Sequence, residues 1–279
     1  MAWGMNSKGT RVALSYGLAK IAVIGAGVIG ETLIRALLEN GVSSKDIYIS
    51  EKRQERFDEI VDKYGVDGLV NPKTVDVVFL AVKPQDLMET IKSWDKSDFV
   101  GKLVVTYAAG IKIGKIEEVL GEGVRVIRVM PNTPLTVGRG MSALSLGSQA
   151  TSEDQEWLVK FLGSAGSVVV VPEDLQDAVT ATSGSGPAYF FAFTEAIEAA
   201  AKRLGLGEEE AKVLAKETLI GAALMVDKSG KELKTLRENV TSPNGTTAAA
   251  LQSFRDSGLD EMVYNAMKAA RDRSIELSS

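Results

Sequence analysis

A chain of 279 residues, 45% of them hydrophobic, can build one large or two modest domains around a sizeable core, which excludes a disordered chain. A net charge of −5 gives no basic footprint for counterion-driven nucleic-acid binding, and no run reaches the roughly 18 uninterrupted apolar residues of a membrane span. With neither cysteine nor histidine, the chain lacks disulfides, thiolate metal sites, Cys nucleophiles and any Ser-His relay; chemistry must come from a bound cofactor, carboxylates, lysines, hydroxyls or backbone dipoles.

Residues 1–19 carry Lys8 and Arg11 ahead of a short apolar run, a faint likeness to a signal peptide. Ser15, Gly17 and Lys20 interrupt that run, so the segment is read as an N-terminal extension. Next, a β-branched run at 21–24 stops at Gly25 and opens into an amphipathic helical pattern through Asn40. Gly25, Gly27 and Gly30 therefore form G-x-G-x-x-G between a strand and a helix, the context in which the spacing signifies dinucleotide binding. The first glycine permits the tight turn, the second leaves room for a pyrophosphate, and the third lets helix and strand pack closely. Unpaired N–H groups at the helix start would face the phosphates. The plain alternative is a glycine turn inside a core.

Short β-rich runs follow at 46–50, 77–82, 103–106, 124–129 and 167–171, with helical periods at 31–38, 54–63 and 153–162. This alternation predicts βαβ units and a mainly parallel, doubly wound sheet, whose ligands bind beyond the carboxyl ends of the strands, near Ser50, Val82, Thr106 and Met130. After Ser50 stand Glu51, Lys52 and Arg53: the acid suits the ribose of NAD, the bases suit the extra phosphate of NADP, and the choice stays open. Pro84 disfavours helical geometry at Lys83, so Ala81-Val82-Lys83 leaves its strand extended and presents the lysine at the ligand edge, or simply to solvent.

Beyond Glu173 alanine-rich helical segments replace the strands, at 188–204, 208–226, 246–255 and 261–277. The stretch 188–201, with Tyr189, Phe190, Phe191 and Phe193, is apolar nearly all round, which predicts a helix buried in its own bundle or packed against another subunit. Pro187 suits a first helical turn, and the loop 241–247 runs into a helix where the N–H groups of Gly245, Thr246 and Thr247 form a ready site for a carboxylate, or an ordinary Ser/Thr cap.

Gly-Ala-Gly-Val-Ile-Gly at 25–30, Ala-Val-Lys-Pro at 81–84, Met-Pro-Asn-Thr-Pro at 130–134, Ser-Gly-Ser-Gly-Pro-Ala-Tyr at 183–189 and Asn-Val-Thr-Ser-Pro-Asn-Gly-Thr-Thr at 239–247 together resemble the pyrroline-5-carboxylate reductases, in order from Lys20 to the C-terminus. The resemblance implies an α/β protein: a Rossmann-like dinucleotide-binding domain over 20–173 and an all-helical substrate and dimerisation domain over 174–279. It implies reduction of the cyclic imine 1-pyrroline-5-carboxylate to L-proline, the last step of proline biosynthesis, with NADPH, or NADH as second candidate. It further implies a cytoplasmic homodimer, or a larger ring such as a decamer, with no metal, nucleic-acid or membrane partner. By position, Gly25, Ala26, Gly27, Val28, Ile29, Gly30, Ser50, Glu51, Lys52, Arg53, Asn71, Ala81, Val82, Lys83, Ala109 and Asn239 should meet the dinucleotide; Ser242, Gly245, Thr246 and Thr247 should hold substrate. Thr247 would be an orienting donor to the ring nitrogen rather than a general acid, since the imine can enter already protonated. Asn244 stands where the family usually has glycine, and Asn tolerates the left-handed geometry. The family stretch ahead of this loop often holds a proline that residues 227–238 lack. Rival readings are a β-hydroxyacid dehydrogenase, which would need a lysine early in the central helix, and a non-catalytic dinucleotide sensor.

Overall fold

The computed structural model describes residues 19–277; the N-terminal extension read at 1–19 lies, apart from Ala19, outside the described residues. Contacts divide the chain into two compact units: the first runs to Gly184 and takes in the residues from Ala270 on, and the second is Ser185–Ala269.

The first unit opens with β1 (Ile21–Ile24), α1 (Val28–Glu39), β2 (Ile47–Ser50), α2 (Gln54–Tyr64) and the two-residue edge strand β3 (Asp67–Gly68). It continues through β4 (Val77–Leu80), α3 (Pro84–Lys92), β5 (Leu103–Thr106), α4 (Ile113–Leu120) and β6 (Arg125–Met130), then β7 (Gly140–Leu146), α5 (Ser152–Gly163) and β8 (Gly166–Val170). The eight strands lie in the order β3-β2-β1-β4-β5-β6-β7-β8; the first six are parallel, and β7 runs antiparallel to β6 but parallel to β8. The strand order reverses between β1 and β4, which is where a doubly wound sheet opens its ligand crevice.

Alternation along the strands supplies both faces. Ile21 and Val23 join Leu33, Ile34, Leu37, Ile60, Trp157 and Phe161 beneath α1, α2 and α5. Ala22 and Ile24 join Leu87, Ile91, Phe99, Ile116 and Leu120 beneath α3 and α4. A sheet covered on both faces explains strands such as Val77–Leu80 that are apolar and buried at every position. Trp157 and Phe161, one turn apart on α5, stack at 5.8 Å and meet Phe79 at 6.2 and 5.8 Å. Thr151 and Asp154 close a capping box at the start of α5, and Arg125 Nη1 pairs with the buried Asp154 carboxylate at 2.7 Å.

Several boundaries depart from the sequence reading. The strand expected over 77–82 stops at Leu80, because Pro84 opens α3 with Lys83 as an extended N-cap and the chain must leave the sheet first. Asp46 belongs to a 3₁₀ turn capped by Ser43 rather than to β2. The antiparallel strand β7, Gly140–Leu146, adds to the strands expected from the sequence.

The linker holds α6 (Gln176–Val179) and a π-helical turn, Thr180–Gly184. The second unit is helical as expected: α7 (Gly186–Arg203), α8 (Glu208–Ser229), α9 (Leu233–Asn239), α10 (Thr246–Asp256) and the greater part of α11 (Leu259–Glu276). Phe193 of α7 meets Phe254 of α10 at 6.0 Å. Burial of 188–201 within its own chain does not hold: Phe190, Phe191 and Phe193 are 63%, 60% and 46% exposed. Among the described residues no helix is long and apolar enough to cross a membrane.

Candidate active site

Gly25 turns the chain from β1 into α1 with φ +93°, and its missing Cβ would lie 2.8 Å from the Ala81 carbonyl oxygen at the end of β4. At Gly30 a Cβ would stand 1.9 Å from the Gly25 oxygen, so only glycine lets the first turn of α1 close on the strand. Gly27, the N-cap of α1, differs from both: a Cβ there would meet nothing within 4 Å, and no side chain caps the helix. The loop therefore presents the N–H groups of the α1 start to open space, the geometry that accepts a phosphate.

Two side chains from the segment after β2 hold this loop by one residue, Ala26. Glu51 accepts from its N–H at 2.9 Å, while Arg56 Nε donates to its carbonyl at 2.9 Å. Glu51 also accepts from Arg53 N at 3.1 Å and Nε at 3.2 Å. Burial alone would raise its pKa, but the N–H bonds from Arg53 and Ala26 and the Arg53 guanidinium outweigh it, and the carboxyl lies below its ordinary value. Arg56 further pairs with Glu31 of α1, which also collects Lys63 and Tyr64 at 2.8 Å each.

A cleft of about 610 Å³ opens where β1, β2 and β4 end. It brings together Gly25, Gly27, Ser50, Glu51, Lys52, Arg53, Ala81, Val82 and Lys83 from the expected set. The sequence reading missed its second wall, Asp86, Glu89, Thr90, Ser93 and Trp94. Their spacing is a stripe along α3 and the turn that follows it, a signal available once Pro84 is taken as the first helical residue. Lys52 reaches across toward that wall, its Nζ lying 4.0 Å from Asp86 and 3.9 Å from Glu89.

Asn71 does not line this cleft. Its side chain accepts from Lys73 N at 2.6 Å, capping the turn Pro72–Thr74, and donates to Asp98 at 3.0 Å. Ala109 follows β5, half-buried beside Gly110. In the Met130 to Pro134 segment Asn132 donates to the Ser183 carbonyl in the π-helical turn at 3.1 Å and accepts from Met141 N at 2.8 Å. Met130 packs so close to Gly184 that a Cβ there would stand 2.5 Å from its terminal methyl. A π-turn leaves carbonyls off the usual ladder, and Asn132 satisfies one of them.

The remaining expected residues belong to the second unit. Asn239 ends α9, and Ser242, Gly245, Thr246 and Thr247 surround the start of α10, which no side chain caps. Asn244 adopts the left-handed conformation expected of it, with φ +58°. Gly245 then fits against Ser242, whose Oγ would lie 2.3 Å from any Cβ. Thr246 and Thr247 are thus the first two residues of a helix whose end N–H groups and hydroxyls can receive a carboxylate.

A family model described as pyrroline-5-carboxylate reductase dimerisation matches residues 173–277, and one described as NADP oxidoreductase, coenzyme F420-dependent, matches residues 20–110. A pyrroline-5-carboxylate reductase of Corynebacterium melassecola is 41% identical, covering 93% of this chain and 99% of that protein. The Pseudomonas aeruginosa reductase is 39% identical, over 93% of this chain and 97% of that one. Among solved structures, a pyrroline-5-carboxylate reductase from Coxiella burnetii superposes with TM-score 0.86 at 32% identity, covering 94% of this chain and 99% of the other. A Plasmodium falciparum pyrroline carboxylate reductase with NADP bound gives TM-score 0.79 at 28% identity, over 94% and 98%. Likeness at this level through nearly the whole of both chains leaves one assignment: the chain belongs to the pyrroline-5-carboxylate reductase family.

Proposed function

We propose that this protein reduces 1-pyrroline-5-carboxylate to L-proline with NAD(P)H, closing proline biosynthesis. The observation that carries the reading is the 41% identity to a reductase across 93% of the chain, which spans both compact units. The open space at Gly27 and the uncapped α1 start fit a pyrophosphate, so the residues present suit a nicotinamide dinucleotide. When bound, that dinucleotide supplies the hydride that the imine carbon accepts. Gly25 to Gly30 hold its phosphates, and the cleft from Ser50 to Arg53 and Ala81 to Lys83 holds its adenosine end. Ala109 and Asn239 are assigned to the same ligand.

The substrate carboxylate is assigned to the start of α10, through Ser242 and the N–H groups of Gly245, Thr246 and Thr247, and the Thr247 hydroxyl hydrogen-bonds the ring nitrogen. The proton on that nitrogen comes from solution before binding, so a chain without histidine needs no strong acid. The enzyme's contribution is orientation. The protein is proposed to act as a cytoplasmic homodimer through its helical unit, from which a larger ring such as a decamer can be built. The dehydrogenase rival is not favoured, because the lysine of α7 comes only in its last turn, at Lys202.

Mixing the protein with the imine and NADPH or NADH should consume reduced-nicotinamide absorbance, dependent on both protein and imine. Thr247→Ala should lower kcat by about tenfold or more while leaving nucleotide affinity unchanged. An unchanged kcat would remove the orienting role, and no turnover by a protein that binds nucleotide would leave a sensor.

A further inference from the structure

NADH and NADPH differ only at the ribose 2′ position, which in a βαβ dinucleotide site is met by the residues that follow the second strand. Here the first of these is Glu51, its side chain 10% exposed and fixed by three N–H donors from Ala26 and Arg53. Two of those bonds use Oε1 and one uses Oε2, so the carboxylate keeps acceptor capacity for a ribose hydroxyl. The same N–H donors keep its pKa below the ordinary value against the cost of burial, so it carries a charge at neutral pH.

Three of the cations around the cleft lie beside carboxylates already. Lys52 is drawn over to Asp86 and Glu89, Arg53 sits on Glu51 itself, and Arg56 is taken by Glu31, Glu59 and the Ala26 carbonyl. The cleft wall thus adds Asp86 and Glu89 to Glu51. A phosphate carrying close to two negative charges meets repulsion there, whereas a hydroxyl can donate to Glu51.

Resting on the dinucleotide reading above, we propose that Glu51 sets the coenzyme preference of this chain toward NADH, against the NADPH expected from the family resemblance. The test measures dissociation constants of NADH and NADPH by quenching of tryptophan fluorescence, and kcat/KM for each with the imine, in the native protein and in Glu51→Gln. The amide keeps an acceptor for the Ala26 N–H but removes the charge. Native protein should bind NADH more tightly than NADPH, and the ratio should move by about tenfold toward NADPH in the variant. Because both nucleotides are read on one preparation, a partly misfolded fraction cancels from the ratio. Tighter NADPH binding by the native protein, or a ratio unmoved in Glu51→Gln, overturns the proposal. Failure to bind either nucleotide overturns it together with the dinucleotide reading. Binding with the expected ratio and no imine reduction supports it and removes only the reductase activity.

Discussion

Glu31 lies one turn into α1 yet draws its partners from α2: Lys63 and Tyr64 at 2.8 Å, and Arg56. The Lys63 bond acts most strongly; burial opposes it, and Arg56 and Tyr64 add to it, bringing the carboxyl from its ordinary 4.5 to about 2. A folded-state pKa below the unfolded one stabilises the protein fully above 4.5, and this contribution is lost as the pH falls toward 2. Glu31→Gln should therefore cost about 2 kcal/mol at neutral pH, reduced from the full linkage value because the side chain is partly solvated. In urea unfolding the gap between native protein and variant should close between pH 4.5 and 2. A gap that stays constant through that window would mean that shape, not charge, is what Glu31 contributes. The network matters to the site because Arg56 holds Glu31 and the Ala26 carbonyl at once, so the glycine loop inherits its rigidity.

The strand–loop–helix element from β1 to α1 separates two uses of glycine that look identical in sequence. Gly30→Ala places a methyl group 1.9 Å from the Gly25 oxygen and should cost about 1–3 kcal/mol with a lower Tm. Gly27→Ala adds a methyl to open space and should stay within about 1 kcal/mol of native stability, yet lose nucleotide affinity by tenfold or more, because the phosphate occupies that space. Equal affinity in Gly27→Ala and native protein, measured by titration, would remove the pyrophosphate from this loop. The first motif was legible because strand period, glycine spacing and helix period agree over 21–40. Less could be read where side chains answer only to tertiary partners. The antiparallel β7, Gly-Met-Ser-Ala-Leu-Ser-Leu, owes its place to β6 and β8 on either side, and β3 is a two-residue addition to an edge. Asn71 carries no local sign that its amide is taken by Lys73 and by Asp98, and Asp86 and Glu89 gain meaning only from the fold that sets α3 opposite Lys52. In the linker, 182–187 reads as a loop leading into the central helix, whereas Thr180–Gly184 forms a π-turn in which Thr180, Thr182 and Ser183 bond back to carbonyls four residues earlier.

In the whole molecule apolar surface is distributed unevenly. The sheet unit buries most of its large apolar side chains, with exceptions such as Val70 and Val137, while the helical unit leaves Phe190, Phe191, Val213, Leu214, Met225, Met262 and Tyr264 exposed. Surface of that kind in a region matched by a dimerisation family model fits an interface between two copies. Replacing Phe190 and Phe191 together by Ser should yield monomers in sedimentation velocity runs at micromolar concentration, whereas the native protein should sediment as a dimer or larger. A variant that sediments like the native protein would place the interface elsewhere. Chain connectivity has a different effect. The helical unit is inserted into the first unit, which resumes at Ala270 and ties the end of α11 to the linker through Ser274 Oγ and Asp177, 2.7 Å apart. On the ribosome, where folding follows the order of synthesis, all eight strands emerge before any helix of the second unit. The sheet can form early, but the turns that complete its unit are made last. A nascent chain that stalls anywhere within the second unit carries a sheet domain lacking its closing helical turns, so the sheet unit is completed only after the whole of the second unit has been made.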